Sequence, residues 1–255
     1  KQLNPDILLA HKRYSYNGKD YIQEKKIKEL QIKLPSIKKT IVFDSTFDSW
    51  NLNSNYWIDF DLESVKFDHP IWVLFSSGTT GKPKAITHGT GGMLLEQYKS
   101  HSLHQNIMNG DRFFWNTTTG WMMWNYAIGS FLCGATLCLY DGSANFPDIG
   151  VQWRFAKDAK INHFGNGSPM FITSMKQNCK DVSNENLKFI KTIGATGSPL
   201  SIEAFKWLQK KLPSTQIISL SGGTDVCSAF IGGSPKLPVY ALSLIHISEP
   251  TRLAT

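Results

Sequence analysis

Cysteine is scarce in this 255-residue chain, and long apolar runs are missing. The four cysteines (Cys133, Cys138, Cys179 and Cys227) contain no CxxC spacing of the kind that holds metal, so buried reduced thiols of a cytosolic enzyme are expected. The longest apolar-leaning stretch, 127–140, is broken by Gly129, Ser130, Gly134 and Thr136. It is too short to span a bilayer, so no membrane insertion is expected. No initiator Met and no basic start leading into an apolar signal region is present, and a cytoplasmic location is the expectation. Internal repeats and low-complexity linkers are absent as well. What the chain does have is apolar residues at 41%, ample for the core of one large domain or two small ones.

Acidic residues are the minority charge, 20 against 27 Lys and Arg, for a net +7. The excess is local: residues 1–39 hold ten Lys/Arg and four Asp/Glu. Six of the ten Lys/Arg sit in an amphipathic piece, "DYIQEKKIKELQIKLPSIKK", where Ile22, Ile27, Leu30 and Leu34 can face a core while the lysines stay solvated. With no zinc finger, RNA-recognition motif or basic zipper beside it, nucleic acid is not an expected partner.

Short β-rich runs at 40–43, 71–75, 113–116, 136–140, 161–164, 189–193 and 216–220 alternate with stretches of helical spacing. The clearest helix is "SIEAFKWLQKKL", with Ile202, Phe205, Leu208 and Leu212 on one face, Ser201 as N-cap and Glu203 near the positive helix end. This alternation predicts an α/β fold, sheet layers covered by helices, with function gathered in the loops at the carboxyl ends of strands.

The tail reads differently. Residues 242–252, "LSLIHISEPTR", back-translate into eleven consecutive codons matching the adapter of transposase-based sequencing libraries. Residues 242–255 are therefore expected to be a non-native translation and are left out of fold reasoning.

One loop is built for an anion. In "SSGTTGKPK", 76–84, Gly78 and Gly81 let successive backbone N–H groups point into one concavity. Ser76, Ser77, Thr79 and Thr80 add hydroxyls, and Lys84 adds a full charge. A P-loop reading fails on two positions: Gly81-Lys82 is followed by Pro83, and Phe75 or Ser76 stands where the first Walker glycine belongs.

The loop instead resembles the phosphate loop [ST]-S-G-[ST]-T-G-x-P-K of the adenylate-forming acyl-CoA synthetases, matching at every position of 76–84. Three blocks follow in that family's order: "TGWMMWNY" (119–126), similar to the acyl-pocket segment; "GATGSPLS" (194–201), similar to the adenine frame; and "SGGTD" (221–225), similar to [YW]-G-x-T-[ED]. The wording of these blocks resembles the acetoacetate-activating branch, and the likeness runs through residue 241.

The resemblance implies ATP-dependent activation of acetoacetate through an acyl-adenylate, with Mg²⁺ and coenzyme A. Ser76, Ser77, Gly78, Thr79, Thr80, Gly81 and Lys84 would bind ATP, with Thr79, Thr80 and Lys84 on the β- and γ-phosphates, and Gly197, Ser198 and Pro199 would frame the adenine. Ser221, Gly222, Gly223 and Thr224 would complete the nucleotide site. Thr224 on the α-phosphate and Lys84 would act catalytically, and Asp225 would bind the metal. Trp121, Met122 and Gly222 would wall the acyl pocket, and Asn145 would lie near coenzyme A. Acetate-specific relatives carry Trp-Trp-Gln-Thr-Glu in the last block; Gly222 in place of the second Trp implies room for a longer acid. Ser221 stands where relatives use an aromatic against adenine. His88, after the loop, is read as structural. The resemblance further implies that 1–241 is an incomplete N-terminal AMP-binding domain lacking the ribose-binding Asp block and the C-terminal domain with its Lys, and inactive alone. A synthetase for acetate, propionate or another short acid, or a non-catalytic nucleotide-binding relative, stays open.

Overall fold

The computed structural model describes residues 3–43, 62–76 and 81–241. The chain divides into two compact units, Lys1–Glu63 and Ser64–Thr255.

In the first unit, β1 (Ile7–His11) pairs in parallel with β4 (Lys39–Phe43), and β2 (Arg13–Tyr16) pairs antiparallel with β3 (Lys19–Ile22). Asn17 and Gly18 join the hairpin with φ of 54° and 72°, the left-handed pair that a two-residue Asn-Gly turn needs. That turn corrects one expectation. Ile22 was grouped with the helix, yet the hairpin register takes it as the partner of Arg13, leaving it 76% exposed. The helix, α1 (Glu24–Lys33), starts after it and buries Ile27, with Leu30 and Leu34 partly covered.

The second unit opens with an antiparallel pair, β5 (Pro70–Ser76) and β6 (Lys84–Gly89), running on into α2 (Thr90–Lys99) and a π-helical turn, Ser100–His104. Its centre is a parallel five-stranded sheet of β7 (Arg112–Trp115), β8 (Thr136–Leu137), β9 (His163–Gly167), β10 (Thr192–Thr196) and β11 (Gln216–Ser219), in the order β11-β10-β9-β7-β8. The crossovers carry α3 (Met122–Gly129), α4 (Val151–Asp158), α5 (Ser168–Lys176), the short α6 (Asn184–Leu187) and α7 (Ile202–Lys211). A small hairpin follows, β12 (Ser221–Gly223) with β13 (Ser228–Ile231).

Successive strand side chains point to opposite faces, and the core obeys this. Phe114, Phe164, Ile193 and Ile217 join Trp153, Phe171 and Leu208 on one side. Phe113, Trp115, Ile218 and Leu220 join Tyr126 and Ala127 on the other. Helices thus cover both faces, as the sequence predicts for an α/β protein. Strands buried on both sides need no apolar-polar alternation, which is why β9 and β10 are buried almost throughout.

Three strand positions shift from expectation, two of them for one reason. The apolar runs at 161–164 and 189–193 begin with residues that close a preceding helix. Ile161 N–H donates to the Ala156 carbonyl and Ile190 N–H to the Leu187 carbonyl, so the strands start at His163 and Thr192. The run at 136–140 pairs only briefly, since β8 lies on the sheet edge. In α7, Ser201 Oγ accepts from Ala204 N–H at 3.2 Å as the N-cap, and Leu208 and Leu212 are fully buried. Ile202 is 38% exposed instead of core-facing, because Leu200 and Ala204 fill the core at the first turn. The Glu203 carboxyl is held below its usual range by its own backbone N–H and the Ser201 hydroxyl.

Candidate active site

The strand order places a switch point at β7: the chain leaves to β8 on one side and returns to β9 on the other. Crevices open at the carboxyl ends of strands where such a reversal occurs. A cavity of about 540 Å³ lies there, lined by Trp115 of β7 and Asn116 after it, Gly167 of β9, Thr196 of β10 and Gly197 after it, and Leu220 after β11. Trp121, Met122, Met123 and Tyr126 of α3 form one wall, and the hairpin residues Gly222, Gly223, Thr224, Ser228 and Ala229 another. Leu74, Phe75 and Ser76 of β5 complete it.

The floor is an indole laid across glycines. Trp115, Gly165 and Gly194 are direct neighbours in the register of three adjoining strands. A Cβ at Gly165 would sit 2.0 Å from Trp115 Cε3, and one at Gly194 would sit 2.5 Å from Cη2. Asn116 is fixed by a closed amide ring. Gln152 Nε2 donates to Asn116 Oδ1 at 3.0 Å, Asn166 Nδ2 to Gln152 Oε1 at 2.7 Å, and Asn116 Nδ2 to Asn166 Oδ1 at 3.2 Å. Buried amides satisfied this way hold their orientation. A second cavity of about 190 Å³ shares Trp115 and Asn116 with the first and is bounded by Trp124 and the 138–141 segment.

Of the residues the sequence singles out, Ser76, Trp121, Met122, Gly197, Gly222, Gly223 and Thr224 line the one cavity. Ser77, Gly78, Thr79 and Thr80 lie outside the described residues. Gly81 is described, with φ 145° in open space, where a side chain would be strained. Lys84 is the cross-strand partner of Ser76, and its Nζ lies 3.7 Å from Asp225 Oδ1, next to the lining Thr224. Both charged groups are largely exposed, so the pair itself adds little stability. A single exposed carboxylate suits Mg²⁺, which takes one or two carboxylates and completes its shell with substrate phosphates and water. Among the described residues, no cluster of three His, Cys, Asp or Glu could hold a metal by itself.

Ser198 and Pro199 are exposed beside Gly197, whose φ is +83°, and the Ser198 carbonyl accepts from Ser168 Oγ at 2.6 Å. Ser221 pairs with Ile231 in the hairpin and Asn145 is exposed; neither borders the cavity. Gly222 has a further constraint that the sequence hid. A Cβ there would lie 1.9 Å from the Ser228 carbonyl oxygen and 2.8 Å from Ala229 Cα. The glycine answers first to close backbone approach.

Sequence reasoning missed Trp115, Asn116, Leu220 and Ser228, and did not single out Tyr126 and Thr196 within the blocks 119–126 and 194–201. The strand-end rule, applied after β7, β10 and β11, could have found four of them. Tyr126 is fully buried; burial pushes its hydroxyl up to about 12, and it bonds Ser100 Oγ at 2.8 Å and accepts from Gln105 Nε2.

A competing cluster sits at the opposite, amino ends of the strands. His163 Nδ1 lies 2.8 Å from Thr192 Oγ1 and Nε2 lies 3.0 Å from Asp111 Oδ2, while Lys191 Nζ reaches Asp111 Oδ1 at 2.7 Å. The hydroxyl-imidazole-carboxylate order is that of a nucleophile relay, but Thr192 and His163 are buried and neither cavity reaches them. Burial would raise the Asp111 pKa, but Lys191 and His163 outweigh it and hold the carboxyl below its usual range. The cluster stitches three strand ends.

A family model described as AMP-binding enzyme matches residues 4–245. The chain belongs to the AMP-binding enzyme family. It is 34% identical to acetoacetyl-CoA synthetase of Gallus gallus over 94% of this chain and 39% of that protein. It is 35% identical to acetoacetyl-coenzyme A synthetase of Rhizobium meliloti, with the same shares. The solved acetoacetyl-CoA synthetase of Streptomyces lividans superposes with a TM-score of 0.83 at 39% identity, again over 94% of this chain and 39% of that one. The chain spans about 39% of the length of the curated relatives it matches. Among the described residues, no helix of this AMP-binding chain is long and apolar enough to cross a membrane.

Proposed function

We propose that this chain supplies part of the large N-terminal domain of a cytoplasmic, ATP-dependent acetoacetate–CoA ligase. The observation that carries the reading is convergence. Blocks around 76, 121, 197 and 222, far apart in sequence, border one cavity at the switch point of the sheet. The names of the relatives support the choice of acid.

A carboxylate acylates poorly because oxide is a poor leaving group. Its attack on the α-phosphorus of ATP expels pyrophosphate and leaves an acyl-adenylate, from which the thiol of coenzyme A displaces AMP. Such phosphoryl chemistry depends on positioning and charge neutralisation. The 76–84 loop and Lys84 neutralise the β- and γ-phosphates, and Thr224 donates to the α-phosphate. Gly197, Ser198 and Pro199 frame the adenine, with Ser221, Gly222 and Gly223 completing the nucleotide site. Asp225 would hold the Mg²⁺, which would supply positive charge against the phosphates when bound. Trp121, Met122 and Gly222 bound the acyl group, and Asn145 serves coenzyme A. Nucleic acid has no part in the reaction.

Pyrophosphate release by the full-length protein, measured side by side with acetoacetate, acetate and propionate, tests this. Acetoacetate should give the highest kcat/KM, and residues 1–241 alone should give no release. A preference for another acid replaces the substrate. Binding of Mg·ATP without adenylate formation from any short acid replaces the function with a non-catalytic nucleotide-binding role.

A further inference from the structure

The four-residue turn Thr224–Cys227 joins β12 to β13 and carries both Thr224 and Asp225. It is held from outside the hairpin at two carbonyls. His88 Nε2 lies 2.9 Å from the Asp225 carbonyl oxygen, and Gln97 Nε2 donates to the Cys227 carbonyl at 2.6 Å. A carbonyl only accepts, so His88 carries its proton on Nε2. Both side chains are buried, as is Cys227, whose φ of 48° puts a non-glycine residue in the left-handed region. Such a conformation persists only where the surroundings over-determine it.

The holders share one origin. Lys84 and His88 lie on β6, four residues apart and therefore on one face, and Gln97 lies on the helix into which β6 runs. Residues 84, 88 and 97 thus reach Asp225, Asp225 and Cys227 from the segment that leaves the phosphate loop. We propose that His88 and Gln97 are positioning residues, which set the Thr224–Cys227 turn in place before nucleotide arrives and tie it to β6 and α2. This rests on the reading of Thr224 and Asp225 as nucleotide and metal contacts. The sequence offered His88 only as a structural residue and did not single out Gln97.

The test uses the full-length protein and four variants: His88→Ala, Gln97→Met, which keeps length and loses the donor, and the controls His88→Gln and Gln97→Asn. Amide exchange in 224–228 should rise about tenfold in the first two, the factor equivalent to losing one buried bond of about 1.4 kcal/mol. KM for Mg·ATP should rise by a similar factor while KM for acetoacetate moves less than about twofold, and His88→Gln should recover most of the loss. Unchanged exchange overturns the clamp. Faster exchange with an unmoved KM for Mg·ATP, or with both KM values moved alike, overturns positioning. A wild-type protein without acid-dependent pyrophosphate release overturns the functional reading instead, and the exchange arm still decides whether the clamp exists.

Discussion

Acidification below pH 6.5 should loosen the cavity wall through a single side chain, His101. It lies in the π-helical turn after α2 and is fully buried. Its Nδ1 lies 2.7 Å from the Gln97 carbonyl oxygen and therefore donates, which leaves Nε2 as the unprotonated nitrogen. That atom is buried and has no hydrogen-bond partner in the neutral ring, so a second proton would place a charge out of reach of water. Burial lowers the His101 pKa from 6.5 to about 4, only partly offset by the Gln97 and Tyr126 backbone carbonyls. In the unfolded chain the imidazole takes up its proton through pH 6.5; in the folded chain it resists until about 4. Between those values the unfolded state binds more protons, so stability falls as pH falls. At 1.36 kcal/mol per unit, the span amounts to roughly 3 kcal/mol, a large share of the 5–15 kcal/mol by which domains are stable.

The consequence reaches the cavity because the His101 ring lies 4.3 Å from that of Tyr126, which lines it, and 5.5 Å from that of Phe113. Urea unfolding in half-unit steps from pH 8 to 4.5, for the wild type and His101→Leu, isolates the effect. The variant loses a constant amount at high pH from packing and from the lost hydrogen bond to the Gln97 carbonyl, which keeps the Ser100 N–H. Its stability should then fall less steeply below pH 6.5, so the two curves converge by about 2 to 3 kcal/mol at pH 4.5. His163, whose pKa burial also lowers, contributes equally to both curves. A difference that stays constant from pH 7.5 to 4.5 would refute the reasoning.

Gly222→Ala should lower stability by about 1–3 kcal/mol, because its methyl meets the Ser228 carbonyl at 1.9 Å and β13 must move. Gly222→Trp should then lose turnover with acetoacetate and acetate alike; a parental Tm with a clean switch to acetate would show that an indole fits without moving the hairpin. Gly165→Ala drives a methyl to 2.0 Å from Trp115 and should cost a similar amount, lifting the cavity floor and raising KM for the acid, measured by thermal melts and pyrophosphate release. An unchanged KM would mean that the indole tilts away from the cavity.

The sequence made the alternation of strands and helices legible because buried parallel strands are apolar runs bounded by turns. It misjudged where those runs begin, since Ile161 and Ile190 are as apolar as any strand residue while serving helix ends. It also missed the Asn17-Gly18 hairpin, although that dipeptide is a strong turn signal, because lysines drew the segment into a helix. Lining residues with a distinctive local block, Thr224 and Trp121 among them, were legible. Trp115 and Asn116 end an expected strand, but which strand ends meet at one cavity depends on the strand order, a property of pairing that no local block carries.

The glycines show how far local reading could go. Gly165 and Gly194 stand in "FGNG" and "IGAT", where isolated strand glycines signal a close approach without naming what approaches. Only the register supplies the answer, by setting both beside Trp115 so that one indole spans two strands without a Cβ beneath it. A flat floor at the switch point follows, and the amide ring of Asn116, Gln152 and Asn166 fixes its edge from the other side of the sheet. Above it, the hairpin turn approaches on two donors from α2 and β6. The cavity is therefore bounded by three devices: a glycine row, an amide ring and a turn held at two carbonyls. A ligand entering it meets groups already oriented, which is the condition under which fixed dipoles stabilise a developing charge without reorganising.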